Sequence, residues 1–279
     1  MILVTGVNGQ LGFDVVKELK KRNIECVGIG KAELDVTDRN AVNEYISRLK
    51  PECVIHCAAY TAVDKAEDEE EICTKVNVYG TENIARACKK ADSKMIYIST
   101  DYVFDGHRDK PFEVDGNIKP LSVYGKTKSE GELKVKEILD KYFIVRISWV
   151  FGLNGNNFIN TMLRLGEEKE SLNVVCDQIG SPTYTFDLAP LLCDMAVSEK
   201  YGVYHATNEG FCSWAEFAAE IMKKANLNCK INPIPTSEYP TKAVRPFNSR
   251  LSKKSLSDGG FELLPSWKNA LDRYLIELR

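Results

Sequence analysis

Short unbroken apolar runs alternate, through the first half of the chain, with longer stretches in which apolar residues return at roughly helical spacing. The runs Ile2–Thr5, Glu25–Ile29, Cys53–Ala58, Met95–Ser99, Phe143–Ser148 and Leu172–Cys176 predict strands buried on both faces, because a strand with one wet face would alternate apolar with polar. Helical periodicity predicts helices over Leu11–Lys21, Arg39–Leu49, Val76–Lys90 and Lys126–Leu139. Strands that take turns with helices imply parallel pairing through helical crossovers. The expected fold is therefore a doubly wound, mostly parallel α/β sheet covered on both sides.

The alternation weakens after Trp149. Gly152–Asn157 is rich in Gly and Asn, and Asn232–Asn248 contains Pro233, Pro235, Pro240 and Pro246, residues that interrupt regular structure. Residues 1–150 are expected to form the sheet domain, and residues 151–279 mostly a smaller, more irregular lobe over the carboxyl edge of the sheet. Leu172–Cys176 and the helical stretch Asp187–Val197 are expected to return to the sheet, so that 172–198 belongs with the first domain.

With 279 residues, 44% hydrophobic and 28% charged, the chain has the balance of an ordinary globular protein. A net charge of −3 argues against a surface built to neutralise nucleic-acid phosphates. No apolar run approaches the roughly 20 residues of a membrane-spanning helix, and the strand-like start resembles no secretory leader. A cytoplasmic protein without a membrane or nucleic-acid partner is expected. The nine cysteines include no Cys-x-x-Cys pair, and His56, His107 and His205 are far apart, so the ligand spacing of a zinc site is missing and no metal is expected.

The segment Ile2-Leu3-Val4-Thr5-Gly6-Val7-Asn8-Gly9-Gln10-Leu11-Gly12 runs from the first strand through three evenly spaced glycines into a helix. Glycines at that turn admit positive φ, let the backbone approach a pyrophosphate, and bring helix and strand together. The amides of Gln10 and Leu11 then face the phosphates at the positive end of the helix dipole. Gly6, Asn8, Gly9, Gln10, Leu11 and Gly12 are accordingly candidate dinucleotide contacts, and the sheet is of the Rossmann type.

An acid about 20 residues further on would bind the ribose 2′-hydroxyl of NAD. The second strand instead ends Gly28-Ile29-Gly30-Lys31, with no acid at its tip. Lys31 suits the 2′-phosphate of NADPH and equally suits a solvated surface, so NADPH, or both NADPH and NADH, is the expected cofactor. Asp35 and Val36 follow as candidates for the adenosine half, whereas Asp38 fits the N-cap of the helix at Arg39–Leu49. Ala58, Ala59 and Tyr60 close the third strand with small residues first, as a cofactor passing the backbone requires and as simple packing would also select.

Tyr124 and Lys128 stand four positions apart at the start of a helix and so project from one face. The ammonium is expected to lower the tyrosine pKa, fitting Tyr124 to exchange a proton near neutral pH. Thr100 falls at the carboxyl end of the fourth strand, where open α/β sheets bind ligands, and offers a hydroxyl to a carbonyl and to the phenol.

These motifs make the chain resemble the extended short-chain dehydrogenase/reductase family, through Thr-Gly-x-x-Gly-x-x-Gly at Thr5–Gly12 and Tyr-x-x-x-Lys at Tyr124–Lys128. Within it the chain is similar to the dTDP-4-dehydrorhamnose reductase branch. That likeness rests on Ala59–Glu67, Ser99–Gly106, Ser148–Gly152, Asn156–Phe158, Asp177–Thr183 and Arg245–Leu251. It implies NAD(P)H-dependent reduction of the C4 ketone of dTDP-4-dehydro-β-L-rhamnose to dTDP-β-L-rhamnose, hence a nucleotide-linked keto-sugar as partner. Tyr124 would protonate the oxygen, Lys128 would hold the nicotinamide ribose, Thr100 would hydrogen-bond the carbonyl, and Asp101 would position the sugar. Trp149 would face the hexose, and Arg245 and Asn248 would hold the diphosphate. Thr61, Asn77 and Ser99 join the implied cofactor contacts, Tyr102 and Asn157 the implied substrate contacts. A monomer or homodimer is expected.

Sugar-nucleotide dehydratases and epimerases share the glycine loop and the Tyr-Lys pair. A dehydratase of this kind follows the catalytic threonine with Asp-Glu, whereas here Thr100-Asp101 precedes Tyr102, leaving no second acid for loss of water; an epimerase is less firmly excluded. A non-catalytic dinucleotide-binding subunit, similar to the β subunit of methionine adenosyltransferase, is the third reading. Intact Thr100, Tyr124 and Lys128 argue against it.

Overall fold

The structure, a computed structural model, describes residues 1–278. Its first half runs β1 (Ile2–Thr5), α1 (Gln10–Lys21), β2 (Cys26–Ile29), α2 (Arg39–Leu49), β3 (Cys53–His56), α3 (Val63–Ala66), α4 (Glu70–Thr74), a π turn at Lys75–Gly80, α5 (Thr81–Ala91), β4 (Lys94–Thr100), α6 (Val123–Ile138) and β5 (Tyr142–Ile147). The second half follows as β6 (Val150–Phe151), α7 (Phe158–Glu168), β7 (Ser171–Val175), β8 (Ile179–Gly180), β9 (Thr183–Tyr184), α8 (Thr185–Val197) and β10 (Gly202–His205). It closes with β11 (Cys212–Ser213), α9 (Trp214–Ala225), β12 (Lys230–Ile234), α10 (Lys254–Asp258) and α11 (Trp267–Glu277).

Six strands form one sheet in the order β2-β1-β3-β4-β5-β10, parallel at every pairing. The sheet grows outward in both directions from β1, which leaves a crevice beyond the carboxyl ends of β1 and β3, the place where open α/β sheets bind ligands. Successive residues explain why the strands read as unbroken apolar runs. Val4, Ile55, Ile96 and Val145 pack under α1 and α8 on one face, while Leu3, Val54, Met95 and Ile144 pack under α2, α5 and α6 on the other. Each such side chain, fully buried, contributes about 1.5–3 kcal/mol.

The strand predicted over Leu172–Cys176 does not join this sheet. β7 pairs instead with β12 in a separate parallel ribbon, and the sixth place in the sheet goes to β10. The reason lies in the side chains: Ser171 and Asn173 are exposed while Leu172 and Val174 are buried, the alternation of a strand with one wet face. β12 itself runs through Pro233, inside the stretch read as irregular, because a two-stranded ribbon leaves an edge where a missing N–H is harmless. The helix expected at Asp187–Val197 is α8, which packs on α1 against the main sheet.

A second core gathers Phe151, Met162, Leu172, Phe217, Trp267 and Tyr274 from α7, α9, α11 and the short strands around them. It forms the lobe over the carboxyl edge. Among the described residues no helix is long and apolar enough to cross a membrane.

Candidate active site

A cleft of about 930 Å³ runs across the carboxyl edge from the glycine loop to the first turn of α6. Gly6, Asn8, Gly9, Gln10, Leu11, Gly12, Lys31, Asp35, Val36, Ala58, Ala59, Tyr60, Thr61, Ser99, Tyr124 and Lys128 all line it. Gly6 is at φ +72°, and a Cβ there would stand 2.6 Å from the amide nitrogen of Ala58, so only glycine lets the loop cross the end of β3 this closely. Thr5 accepts from the Ala58 amide at 3.2 Å and holds the two turns together. The first turn of α1 has neither a side-chain cap nor an acidic residue. Its amides and dipole therefore present an uncommitted anion cradle to the cleft, which fits a pyrophosphate.

At the end of β2, Lys31 is exposed on the rim. An acid does stand near this tip: Glu33 folds back so that its carboxylate accepts from the Gly30 amide at 2.8 Å, a contact that sequence spacing did not reveal. Asp35 accepts from the amide and hydroxyl of Thr37, at 2.9 and 2.8 Å, and these bonds hold its carboxyl below the usual range. Asp38 caps α2, accepting from the amides of Asn40 and Ala41.

Asn77 is the exception among the expected cofactor contacts. It is buried, accepts from the Tyr60 amide at 2.8 Å, and donates to the Tyr60 carbonyl and the Thr127 hydroxyl, each at 3.1 Å. From the widened π turn it ties the end of β3 to α6, and it does not line the cleft.

The catalytic end is assembled by two caps and one missing side chain. Ser122 accepts from the Gly125 amide at 3.2 Å, and Glu67 accepts from the Val123 amide at 2.9 Å, so α6 begins just before Tyr124. A Cβ on Gly125 would lie 2.2 Å from the Tyr102 carbonyl oxygen; glycine allows the helix to meet the segment after β4. Thr100 accepts from the Tyr102 amide at 3.2 Å and donates to Asp101 Oδ1 at 3.0 Å, beside the Tyr124 phenol. Tyr124, Thr100 and Asp101 form one polar group on the cleft wall. Lys128 is buried, its Nζ 4.1 Å from the centre of the Tyr97 ring.

Burial dominates the protonation of this group. It raises Tyr124 well above the ordinary phenol, with Asp101 and Tyr102 adding to the rise; it pushes Asp101 up to about 6 and Lys128 down to about 7. The expected lowering of the Tyr124 pKa by the ammonium is therefore corrected. Removal from water dominates, and the neutral phenol it favours is a proton donor.

On the other side of the cleft, Asp101, Tyr102 and Trp149 line the wall. The Tyr102 ring stands edge-on to Tyr124 at 5.6 Å. Trp149, at φ +50°, is stacked on Trp214 at 3.7 Å, which fixes its indole at the mouth of the lobe.

A family model described as RmlD substrate binding domain matches residues 1–279. A dTDP-4-dehydrorhamnose reductase of Aggregatibacter actinomycetemcomitans is 41% identical, over 97% of this chain and 96% of its own. The chain belongs to the dTDP-4-dehydrorhamnose reductase family. The spore coat polysaccharide biosynthesis protein SpsK of Bacillus subtilis is 38% identical, over 99% and 97% of the two chains. The crystal structure of a dTDP-4-dehydrorhamnose reductase from Bacillus anthracis in complex with NADP superposes with a TM-score of 0.96 at 42% identity, covering 99% of this chain and 98% of that one.

Three expected substrate contacts of this reductase-family chain do not line the cleft. Asn157 caps α7 by accepting from the Asn160 amide at 3.0 Å, and donates to Gln10, Gly152 and Tyr274. Asn248 donates to the carbonyls of Arg108 and Lys110 at 2.6 and 3.0 Å and accepts from Arg250. Both side chains are committed to the protein's own structure. Arg245 stands behind the wall, paired with Asp64 at 2.6 Å and donating to the Tyr102 hydroxyl at 3.1 Å. Sequence reading also missed Asn154, Gly155 and Asn156, which line the cleft above the glycine loop, Asn154 donating to the Asn8 carbonyl at 3.0 Å. For Asn154 and Gly155 the only signal was the Gly- and Asn-rich composition of 152–157, read as a break; Asn156 stood in the likeness segment Asn156–Phe158 without a role.

Proposed function

We propose that this chain reduces the C4 ketone of a dTDP-linked 4-keto-6-deoxyhexose, dTDP-4-dehydro-β-L-rhamnose, to the corresponding alcohol, with NADPH or NADH as reductant. The observation that carries the proposal is the convergence of Tyr124, Thr100 and Lys128 at one end of the cleft whose other end is the anion cradle of α1. Bound NAD(P)H supplies the hydride. The chain's own residues do the rest: Tyr124, kept protonated by burial, donates the proton to the ketone oxygen, and Thr100 turns its one hydroxyl proton from Asp101 to that oxygen. Lys128 binds the nicotinamide ribose. Gly6, Asn8, Gly9, Gln10, Leu11 and Gly12 bind the pyrophosphate, Asp35, Val36, Ala58, Ala59, Tyr60 and Thr61 the adenosine and adjoining ribose, and Lys31 the 2′-phosphate.

Asp101 and Tyr102 position the hexose and Trp149 stacks against it. Arg245 acts on the substrate side through Tyr102, to which it donates. In this reading residues 1–150, with α8 and β10 packed into the same sheet layer, carry the cofactor, and the remainder of 151–279 mostly encloses the sugar. Monitoring NADPH absorbance against a panel of nucleotide-linked 4-keto sugars tests it. One NADPH consumed per dTDP-4-dehydro-L-rhamnose is the expected result; conversion of sugar without net loss of NADPH would make the chain an epimerase.

A further inference from the structure

We infer that the buried pair Glu132–Arg146 is the positioning element of the catalytic centre, fixing the strand end that carries Thr100 and keeping the Lys128 amine in its ammonium form. The inference rests on the reading of Tyr124, Lys128 and Thr100 as the catalytic group. Both side chains of the pair are fully buried. Burying an ion pair gains little over an apolar pair of the same volume, so stability alone gives a weak account of it. Its contacts give a better one.

Glu132 Oε1 accepts from Arg146 Nε at 2.8 Å and from the Ser99 hydroxyl at 2.6 Å, while Oε2 accepts from Arg146 Nη2 at 2.7 Å. Ser99 immediately precedes Thr100 and lies opposite Arg146 in the register of β4 and β5. Arg146 Nη1 donates to the Val114 carbonyl at 2.9 Å, and its guanidinium covers the Phe104 ring at 5.1 Å, both on the segment that follows Tyr102. Glu132 is one turn beyond Lys128 on α6 and therefore on the same face. One carboxylate thus grips the catalytic strand by hydrogen bond, the catalytic helix by its own backbone, and the following segment through Arg146.

The same carboxylate sets the local charge. Facing Lys128 are the Cys57 thiol at the end of β3, the Cys73 thiol on α4, His56 of β3, and the phenol of Tyr97. Burial pushes Cys57 up to about 12 and raises Cys73, so both thiols stay neutral, and it pushes His56 down to about 3. Around Glu132 stand Arg146, Lys136 at 3.9 Å and Tyr97, while His205, 3.3 Å from Arg146, is also kept neutral by burial. Glu132 is the carboxylate that opposes the loss of the Lys128 proton.

The test is a pH titration of ¹³C-labelled lysine in the intact chain, Lys128 being the resonance lost in Lys128→Met, alongside the pH profile of kcat. Glu132→Gln is expected to lower the Lys128 midpoint by about one pH unit or more and to move the alkaline limb of kcat with it. Glu132→Asp, which keeps the charge, is expected to move both less than half as far. Ser99→Ala is expected to reduce kcat several-fold with the Lys128 midpoint unchanged. If Glu132→Gln does not fold, Glu132→Gln/Arg146→Met removes the pair without stranding a buried charge, and its midpoint is expected to shift in the same direction by less. An unmoved midpoint in whichever of these folds overturns the inference. A wild-type chain that reduces no keto-sugar would instead sink the functional reading alone, because the titration reports Lys128 without turnover.

Discussion

At the glycine-loop end of the cleft the lining comes from one βα unit, Thr5 to Gly12, and is made mostly by backbone amides and the absence of side chains. At the opposite wall it comes from Asp101, Tyr102 and Trp149, brought from two different strand ends, and each side chain is held by another: Asp101 by Thr100, Tyr102 by Arg245, Trp149 by Trp214. The first kind of site depends on local chain geometry and collapses when a side chain intrudes. The second depends on a network, so single changes there trade binding against stability. Tyr124 stands where the two meet and belongs to neither.

The largest effect tests that junction. Tyr124→Phe removes the only proton of the phenol and leaves its ring packing, so kcat is expected to fall about 10³-fold while the NADPH Kd stays within about twofold. Steady-state rates and a fluorescence titration with NADPH give both numbers; parallel loss of binding would return Tyr124 to the cofactor wall alone. Gly9→Val comes next and probes the local geometry. A Cβ at Gly9 meets nothing nearer than the Gly6 carbonyl at 3.4 Å, so the fold survives, but the branched side chain occupies the cradle. NADPH affinity is expected to weaken about 100-fold, the equivalent of one or two charge-assisted hydrogen bonds, at unchanged melting temperature.

The network side responds in stability. Burial raises Asp101 from 3.8 to about 6, so the folded state binds this proton more tightly than the unfolded chain does. Its contribution is complete below about pH 4 and is lost as pH rises through about 6, a fall of roughly 3 kcal/mol. Asp101→Asn keeps an acceptor for Thr100 and cannot ionise. Thermal unfolding from pH 4 to 8 is therefore expected to show the variant gaining on the wild type as pH rises, whereas a constant difference would remove Asp101 from the pH dependence. Asn248→Ala should cost about 1–3 kcal/mol by stranding the Arg108 and Lys110 carbonyls, with the sugar KM changed less than about twofold. A large rise in KM at unchanged melting temperature would restore Asn248 as a ligand of the diphosphate.

The same contrast explains what could be read before the structure. The sheet was legible because residues buried on both faces leave unbroken runs, and β10 escaped because Gly202-Val-Tyr-His is short and half polar. The glycine loop was legible because its function is its spacing. Asn157 and Asn248 were visible as motif residues, but whether an amide serves a ligand or a carbonyl of the chain depends on partners far along the sequence, and those partners turned out to be internal. The direction of the Tyr124 pKa failed for a related reason: the lysine four residues on is written in the sequence, and the depth of burial that raises the phenol is not.

The smallest expected effect lies at the rim, where the two styles of recognition separate most finely. Lys31 is exposed at the end of β2, so any pairing with a 2′-phosphate is screened by solvent and is worth about 1 kcal/mol or less. Glu33, which a ribose hydroxyl would meet as an acceptor, is turned onto the Gly30 amide, and Lys31 is the cation that the proposed function sets against the 2′-phosphate at this tip. Lys31→Ala is accordingly expected to raise the KM for NADPH by up to about fivefold and leave that for NADH unchanged, measured at low ionic strength and again at high, where the difference should shrink. Equal changes for both cofactors would show that the rim reads only the shared parts of the dinucleotide, and that the choice between them is made by the backbone of the cradle.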